Sequence, residues 1–179
     1  MSYGRRSLAT MRAMTDAKDS NTGDNPGVIA PPPLIALATL LVGLLLDWLL
    51  PLYVISVVLG PWARGFIGGL AVASGFALGF AGMGRFFEAG TNVDPRKPAT
   101  QLATAGVYRY VRNPMYVGLL VVVGGFGVAF ASDWTLVLLV PMALTLRNGV
   151  ILREERYLEA KFGEQYRSFK ARVPRWGIW

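Results

Sequence analysis

The chain has 179 residues, of which 53% are hydrophobic and 16% charged, and its formal net charge is +7. Because a soluble domain has roughly 25% charged residues, this composition indicates one membrane bundle with polar tails. The sequence contains no cysteine and no histidine. Their absence excludes disulfides, thiolate nucleophiles and the commonest near-neutral base, and no metal site is predicted. Anionic lipid headgroups and cytoplasmic loops explain the positive charge, so no nucleic-acid partner is predicted.

The amino-terminal region is polar, mixed in charge and poor in large aliphatic residues, which is typical of disorder. No apolar core of a signal peptide follows Arg5 and Arg6, so no cleaved signal is expected. We divide the chain into a disordered tail (1–32), a first transmembrane hairpin (33–84) and a carboxy-terminal core (85–179). That core contains a loop, a second transmembrane hairpin and amphipathic helices.

The first predicted span begins at Leu34 and continues to about Tyr53, long enough to cross a bilayer core of roughly 30 Å at about 1.5 Å per residue. Asp47 lies about two thirds of the way along. Membrane-embedded acids are often functional, but the neighbouring Trp48 also fits a structural position near the far interface. Residues 54–59 are either a continuation of this helix or an interfacial segment.

The second predicted span, residues 66–84, contains no charged residue. Small residues recur in it every four positions at Ala71, Gly75 and Gly79, a stripe that lets another helix approach closely. The glycines at its end also fit a ligand lying against the backbone. A long, Pro-rich loop is predicted at 85–112, and such loops are functional or disordered.

The third predicted span runs from about Met115 to Phe130, and a fourth runs from a turn and N-cap at Ser132 to about Leu146. The short turn between them predicts an antiparallel hairpin. Pro141 should kink the fourth span. Beyond it, an amphipathic, basic helix is expected to lie along the membrane surface or to fold back over the bundle, broken into two by Gly163.

All but one of the 18 Lys and Arg residues lie in the tail, the loop or the carboxy-terminal region, the exception being Arg64. Four spans bring these three regions to one face. By the positive-inside rule this face is cytoplasmic. We therefore expect both termini and any active site to face the cytoplasm.

A polar, aromatic and basic stretch, residues 104–116, stands at the start of the third span. Asn113 followed by Pro114 predicts a helix start whose free N–H groups can hold an anion. Arg109, Arg112 and three tyrosines add charge and aromatic faces. The same residue types are also common as membrane-interface anchors.

These residues, together with a downstream series, resemble a known family of enzymes. The stretch Gly106–Gly118 and the later Glu154-Glu155, Phe162-Gly163 and Val173-Pro174-Arg175 are similar to motifs of the isoprenylcysteine carboxyl methyltransferase and phospholipid N-methyltransferase superfamily. The resemblance covers roughly residues 100–176. It implies an all-α integral-membrane bundle of about four transmembrane helices, whose cytoplasmic loop and carboxy-terminal amphipathic helices close a pocket for S-adenosyl-L-methionine. The region 85–179 is then a methyltransferase-like core.

The resemblance also implies roles for individual residues. Cofactor contacts are expected from a strand-like approach (Gln101, Leu102, Ala103) and from Tyr108. They are also expected from a tetrapeptide that lines the cofactor (Asn113, Pro114, Met115, Tyr116) and from a paired-Glu motif (Glu154, Glu155). Asn113, Tyr116, Glu154 and Glu155 are the candidate catalytic residues, and Arg112 suits the cofactor carboxylate. The family commonly has His at the position of Asn113, and its prenylcysteine branch has Arg at the position of Val150.

Two other function classes fit the sequence. One is a membrane reductase of the sterol-reductase type, which shares an Arg-x-Pro-x-Tyr arrangement and binds a nicotinamide cofactor. The other is a non-catalytic four-span adaptor, in which Glu154 and Glu155 are a solvated helix face balanced by Arg153 and Arg156. A methyltransferase would act on membrane lipids or another lipophilic acceptor bearing an amine, carboxylate or thiol. The methyl acceptor and the oligomeric state are left open.

Overall fold

A computed structural model describes residues 26–90, 92, 94 and 97–178, so most of the predicted disordered tail lies outside the described residues. The described part of the chain is helical and contains no strand. Its α-helices are α1 (Pro32–Leu49), α2 (Val54–Val58), α3 (Pro61–Glu88), α4 (Pro114–Ala129), α5 (Asp133–Leu146), α6 (Leu152–Phe162) and α7 (Glu164–Arg172). A 3-10 turn at Gly106–Arg109 and a π-helical turn at Arg147–Ile151 complete the secondary structure.

Three helices are long and apolar enough to cross a membrane: Pro32–Leu49, Pro61–Glu88 and the continuous helix Asp133–Phe162. α4 is shorter, with 16 residues, but equally apolar. α3 packs along α4, and α1 packs along α5. The predicted all-α membrane bundle is therefore confirmed, and the chain is a membrane protein.

Several predicted boundaries were wrong. α3 continues through the loop's charged and aromatic start to Glu88 and ends just before Gly90, whose φ of +64° suits glycine. The fourth span does not stop at Leu146, because the π-helical turn carries it on into α6 despite Pro141. Gly163 does separate α6 from α7, as predicted, with a φ of +52° that suits glycine.

The contact between α3 and α4 is a reciprocal approach of glycines. A Cβ at Gly75 would lie 2.6 Å from the carbonyl oxygen of Gly118, and one at Gly118 would lie 2.5 Å from that of Gly75. Gly68 and Gly125 repeat this arrangement. A Cβ at Gly68 would lie 2.6 Å from the carbonyl oxygen of Gly125, and one at Gly125 would lie 2.8 Å from that of Gly68. Two members of the predicted stripe, Gly75 and Gly79, lie at this contact, since a Cβ at Gly118 would also be 3.0 Å from the Gly79 nitrogen. The buried glycines of α3 nevertheless recur every seven residues, at Gly68, Gly75 and Gly82, rather than every four.

Two acids organise the end of the bundle at the α4–α5 turn. Asp47 accepts hydrogen bonds from the hydroxyl of Ser132 and from the backbone N–H of Trp134. Asp133 accepts from the backbone N–H groups of Val54 and Ile55, at 2.8 and 3.0 Å, and so caps α2. Asp47 thus has a structural position, and residues 54–58 form a separate helix rather than a continuation of α1.

Candidate functional site

A pocket opens at the opposite end of the bundle, where α3 ends and α4 begins. Its empty space is about 820 Å³, a volume that is counted out to its open mouth and includes open solvent. The loop after α3, the first turn of α4 and helices α6 and α7 supply most of its wall. The lining side chains are Pro26, Phe86, Asn92, Asp94, Lys97, Ala99, Gln101, Leu102, Ala103, Tyr108, Arg112, Asn113, Met115, Tyr116, Glu154, Glu155, Tyr157, Leu158, Tyr166 and Phe169.

The structure brings together nearly all the residues that the family resemblance assigned to the site, whereas Arg109 and Tyr110 are exposed and do not line the pocket. Ten of the eleven predicted site residues line the pocket: Gln101, Leu102, Ala103, Tyr108, Arg112, Asn113, Met115, Tyr116, Glu154 and Glu155. Pro114 does not line it. Pro114 is buried and seats against Gly82 of α3, where a Cβ would lie 3.0 Å from the Pro114 ring. Residues 101–103 form an irregular segment rather than the strand-like approach that we expected.

Glu154 and Tyr116 meet in the wall of the pocket, although they belong to different helices. The Tyr116 hydroxyl donates a hydrogen bond to Glu154 Oε1 at 2.6 Å, and Tyr116 is buried. In the part of the chain that the structure describes, no basic side chain pairs with Glu154. Glu154 is half-buried, and a carboxylate that is partly removed from water without a counter-ion is costly, so this position favours a bound cation.

Glu155 faces a different set of partners. Arg175 donates two hydrogen bonds to its carboxylate, at 2.8 and 2.7 Å, and Arg112 Nη1 lies 3.1 Å from Oε1. The exposed side-chain fractions are 7% for Glu155, 9% for Arg112 and 23% for Arg175. The hydrogen bond from Arg175 to Glu155 raises the pKa of Arg175. Glu155 therefore ties α6 to the start of α4 and to the carboxy-terminal segment.

Arg112 keeps donor capacity despite this ion pair. Its Nε and Nη1 atoms are buried and make no aligned hydrogen bond within the described residues. The 3.1 Å approach of Nη1 to Glu155 is close enough for an ion pair but lacks hydrogen-bond geometry. Because Arg112 belongs to the pocket lining, its guanidinium suits an anionic or polar ligand group.

Asn113 is placed at the helix start as predicted, but its side chain does not cap α4. Its amide donates instead to the carbonyl oxygen of Arg175 at 3.1 Å. The backbone N–H of Arg112 donates to the carbonyl oxygen of Pro174 at 3.0 Å. The side chain is thus used to hold the carboxy-terminal segment over the pocket, and the backbone carbonyl of Asn113 begins the helix.

Aromatic residues from α3, the 3-10 turn and α7 line the pocket. Tyr108 and Phe86 have ring centroids 5.7 Å apart, and Tyr166 and Phe169 have centroids 6.2 Å apart. Burial raises the pKa of the Tyr108 phenol, with a smaller effect of the Glu154 charge, so the phenol is neutral. Its oxygen is buried without a hydrogen-bond partner in the described chain. An unpaired phenol of this kind is costly unless a ligand satisfies it.

Sequence reasoning missed several lining residues. Leu158, Tyr166 and Phe169 belong to the apolar stripe of the amphipathic helices, so their helical spacing was a usable signal. The loop residues had none, because their approach depends on long-range contacts such as the hydrogen bond from Ala99 N–H to the Tyr157 hydroxyl at 3.1 Å. Among the described residues no cluster of His, Cys, Asp or Glu could hold a metal ion.

Comparison with known proteins adds a family to this geometry. The sequence profile of the phospholipid methyltransferase family matches residues 63–165. A Protein-S-isoprenylcysteine O-methyltransferase of Schizosaccharomyces pombe is 28% identical over 109 residues, which are 55% of this chain and 46% of that enzyme. An uncharacterised protein of Haemophilus influenzae is 34% identical over 62 residues, 35% of this chain and 98% of that protein. This chain thus spans less than half of the yeast enzyme. No solved structure matches.

Proposed function

This chain belongs to the phospholipid methyltransferase family, and we propose that it is a membrane methyltransferase that takes its methyl group from S-adenosylmethionine and transfers it to a lipophilic acceptor. The observation that carries the proposal is the meeting of Glu154 with Tyr116 in the wall of a pocket at one end of the bundle. Tyr116 belongs to the stretch Gly106–Gly118 and Glu154 to the paired-Glu motif, and both are motifs on which the family resemblance rests.

The chemical character of the wall supports this donor. S-adenosylmethionine carries a carboxylate, an ammonium, a sulfonium and an adenine. The guanidinium of Arg112 suits the carboxylate, and the carboxylate of Glu154, which has no basic partner in the described chain, suits a cation. The tyrosine and phenylalanine rings offer faces for the adenine or the sulfonium. The unpaired phenol of Tyr108 supplies one more hydrogen-bond donor.

Methyl transfer requires little covalent chemistry from the protein. When bound, the donor would supply a methyl group attached to a positively charged sulfur. The acceptor atom would attack this methyl carbon in line, and the carbon–sulfur bond would break to leave the neutral thioether of S-adenosylhomocysteine. The residues of the wall align the two reactants and exclude water from between them. Tyr166 and Phe169 pack against Tyr108, and these three rings help to exclude water.

The class of acceptor decides whether a base is needed. A carboxylate or thiolate attacks without losing a proton, whereas an ammonium must first become a neutral amine. Glu154 is the pocket carboxylate without a basic partner in the described chain, so it is the residue that we assign to accept that proton. Val150, which stands where the prenylcysteine branch has Arg, is fully buried in the core cluster with Tyr116. This burial favours an acceptor other than prenylcysteine.

The charge distribution supports a cytoplasmic pocket. The pocket end carries the loop and the helices α6 and α7, which hold most of the Lys and Arg residues, and the opposite end holds Asp47 and Asp133. By the positive-inside rule the pocket end faces the cytoplasm, where the donor is available. The outer faces of the spans expose apolar side chains to lipid, so a membrane lipid or another lipophilic acceptor would reach the pocket from the bilayer.

Binding of S-adenosylhomocysteine, measured by calorimetry on detergent-solubilised protein, tests the donor. Replacement of Glu154→Gln or Tyr116→Phe should weaken the affinity about 10-fold, since each removes a charge or a hydrogen bond at the wall. Glu164→Gln, at an exposed ion pair on α7, is the matched control. Unchanged affinity in both pocket variants would overturn the site assignment.

A second experiment identifies the acceptor and separates the competing functions. The protein is incubated with methyl-labelled donor and a total membrane lipid extract, and mass spectrometry shows which species gains the label. Stabilisation by NADPH but not by S-adenosylhomocysteine would instead indicate a membrane reductase. Absence of saturable binding of either nucleotide would indicate a non-catalytic adaptor.

A further inference from the structure

The helix that carries Glu154 contains an irregular turn, Arg147–Ile151, wound as a π-helix. Such turns frequently mark functional sites. Here the carbonyl oxygen of Gly149 accepts a hydrogen bond from the backbone N–H of Ile29 at 3.2 Å. The segment that precedes α1 is thereby fastened to the helix just before the acid pair.

Two further contacts fix this segment. Arg153 Nη1 donates to the carbonyl oxygen of Gly27 at 2.7 Å. The Ile29 side chain lies over Gly149, where an added Cβ would be 2.6 Å from Ile29 Cγ1 and closer still to Cδ1. Gly149 therefore provides the space that Ile29 occupies. Val28, between them, packs against the core cluster that contains Tyr116.

The segment also reaches the pocket itself. Pro26, one residue before the bond to Arg153, is part of the pocket lining together with Glu154 and Tyr116. We propose that residues 26–29 form a strap, which is a wall of the pocket and a positioning element that sets the affinity for the methyl donor. The inference rests on the function proposed above. Its physical basis is that both fastening points, Gly149 and Arg153, lie on the helix that presents Glu154.

Release of the strap would have two consequences at the pocket. The side lined by Pro26 would open to water, which weakens every electrostatic contact inside. Val28 would leave the cluster that holds Tyr116, so the hydrogen bond between Tyr116 and Glu154 would lose its support. Both changes act on donor binding and neither removes a group that we assign to contact the donor.

Docking of the strap can be measured independently of the donor. Since the chain contains no cysteine, Val28→Cys introduces a single thiol whose labelling rate reports whether the strap is docked. The rate should rise about 10-fold when Gly149→Ala is added. Gly69→Ala is the matched control, because nothing lies within 4 Å of a Cβ built there. Arg153→Gln should also raise the rate, and Arg156→Gln, at an exposed position on the same helix, should not.

The effect on the pocket is measured as the affinity for S-adenosylhomocysteine in the full chain. Gly149→Ala and Arg153→Gln should each weaken it about 10-fold. Adding Ile29→Ala to Gly149→Ala should restore it to within about 2-fold, because the shorter side chain leaves room for the new methyl group. A general defect of the π-helical turn would not be rescued in this way.

The outcomes separate the strap from the proposed function. If the unmodified protein binds S-adenosylhomocysteine while Gly149→Ala and Arg153→Gln bind it equally well, the strap has no role in affinity and the proposed function stands. If the unmodified protein shows no binding, the proposed function fails and the strap's role in donor affinity fails with it. The thiol-labelling rates would still show in that case whether residues 26–29 are docked.

Discussion

The ion-pair triad at Glu155 leads to a prediction about stability. One carboxylate holds two guanidinium groups, with Arg175 at 2.7 Å and Arg112 at 3.1 Å. Glu155→Gln removes the only charge that balances these two cations within the triad, whereas Arg175→Gln leaves Glu155 paired with Arg112. The two substitutions should therefore differ in their cost, although each removes one member of the same network.

The magnitude follows from burial. Removing one partner of a buried pair costs about 3–5 kcal/mol, so Glu155→Gln, which strands two cations, should cost about 4 kcal/mol. Arg175 is 23% exposed, and its loss leaves the remaining pair intact, so Arg175→Gln should cost about 2 kcal/mol. For a protein of this size 1 kcal/mol shifts the melting temperature by about 2–4 °C. The expected shifts are therefore about 12 °C and about 6 °C.

Thermal unfolding in detergent, followed by circular dichroism, measures both shifts. Glu164→Gln serves as the control, because its pair with Arg167 is exposed on both sides and should contribute little. Equal shifts for Glu155→Gln and Arg175→Gln would refute the view that Glu155 balances two cations. A shift for Glu155→Gln no larger than that of the control would refute its structural role altogether.

Three further predictions follow from the geometry. Tyr108→Phe should raise the thermal stability of the ligand-free protein, because it removes a buried phenol that has no partner in the described protein. The same substitution should weaken S-adenosylhomocysteine binding about 5-fold by calorimetry, because the ligand loses a hydrogen bond. Asp133→Asn should weaken the cap of α2 by about 1 kcal/mol and speed proteolysis between α1 and α3 without changing that affinity. Gly118→Val should cost at least about 3 kcal/mol in thermal unfolding, because its Cβ meets the Gly75 carbonyl, whereas Gly69→Val should have no such effect.

The bundle could be predicted from the sequence because its signals are local. Apolar runs of sufficient length gave the spans, and Pro114, which suits the first helical position, gave the start of α4. The division between the fourth span and the amphipathic helix was wrong because both parts are helical by propensity. Only tertiary contacts decide that Arg147–Ile151 forms a π-helical turn rather than a break.

The members of the site could be predicted, but their pairing could not. Sequence proximity suggested Arg153 and Arg156 as partners of the acid pair. Residues one and two apart on a helix do not face each other, so neither can pair with Glu155. Its actual partners come from the start of α4 and from beyond α7. Arg153 instead bonds to Gly27, a contact across the fold that no local pattern indicates.

The helix packing and the pocket have a common origin in the spacing of the glycines. On an α-helix every seventh residue returns to within about 20° of the same direction, so Gly68, Gly75 and Gly82 form one straight contact line on α3. The first two approach the backbone of α4, and the third receives Pro114. The line therefore ends where the pocket begins. One turn beyond it, Phe86 contacts the Tyr108 ring, and both side chains line the pocket. The close approach of the two spans therefore positions part of the aromatic lining of the pocket.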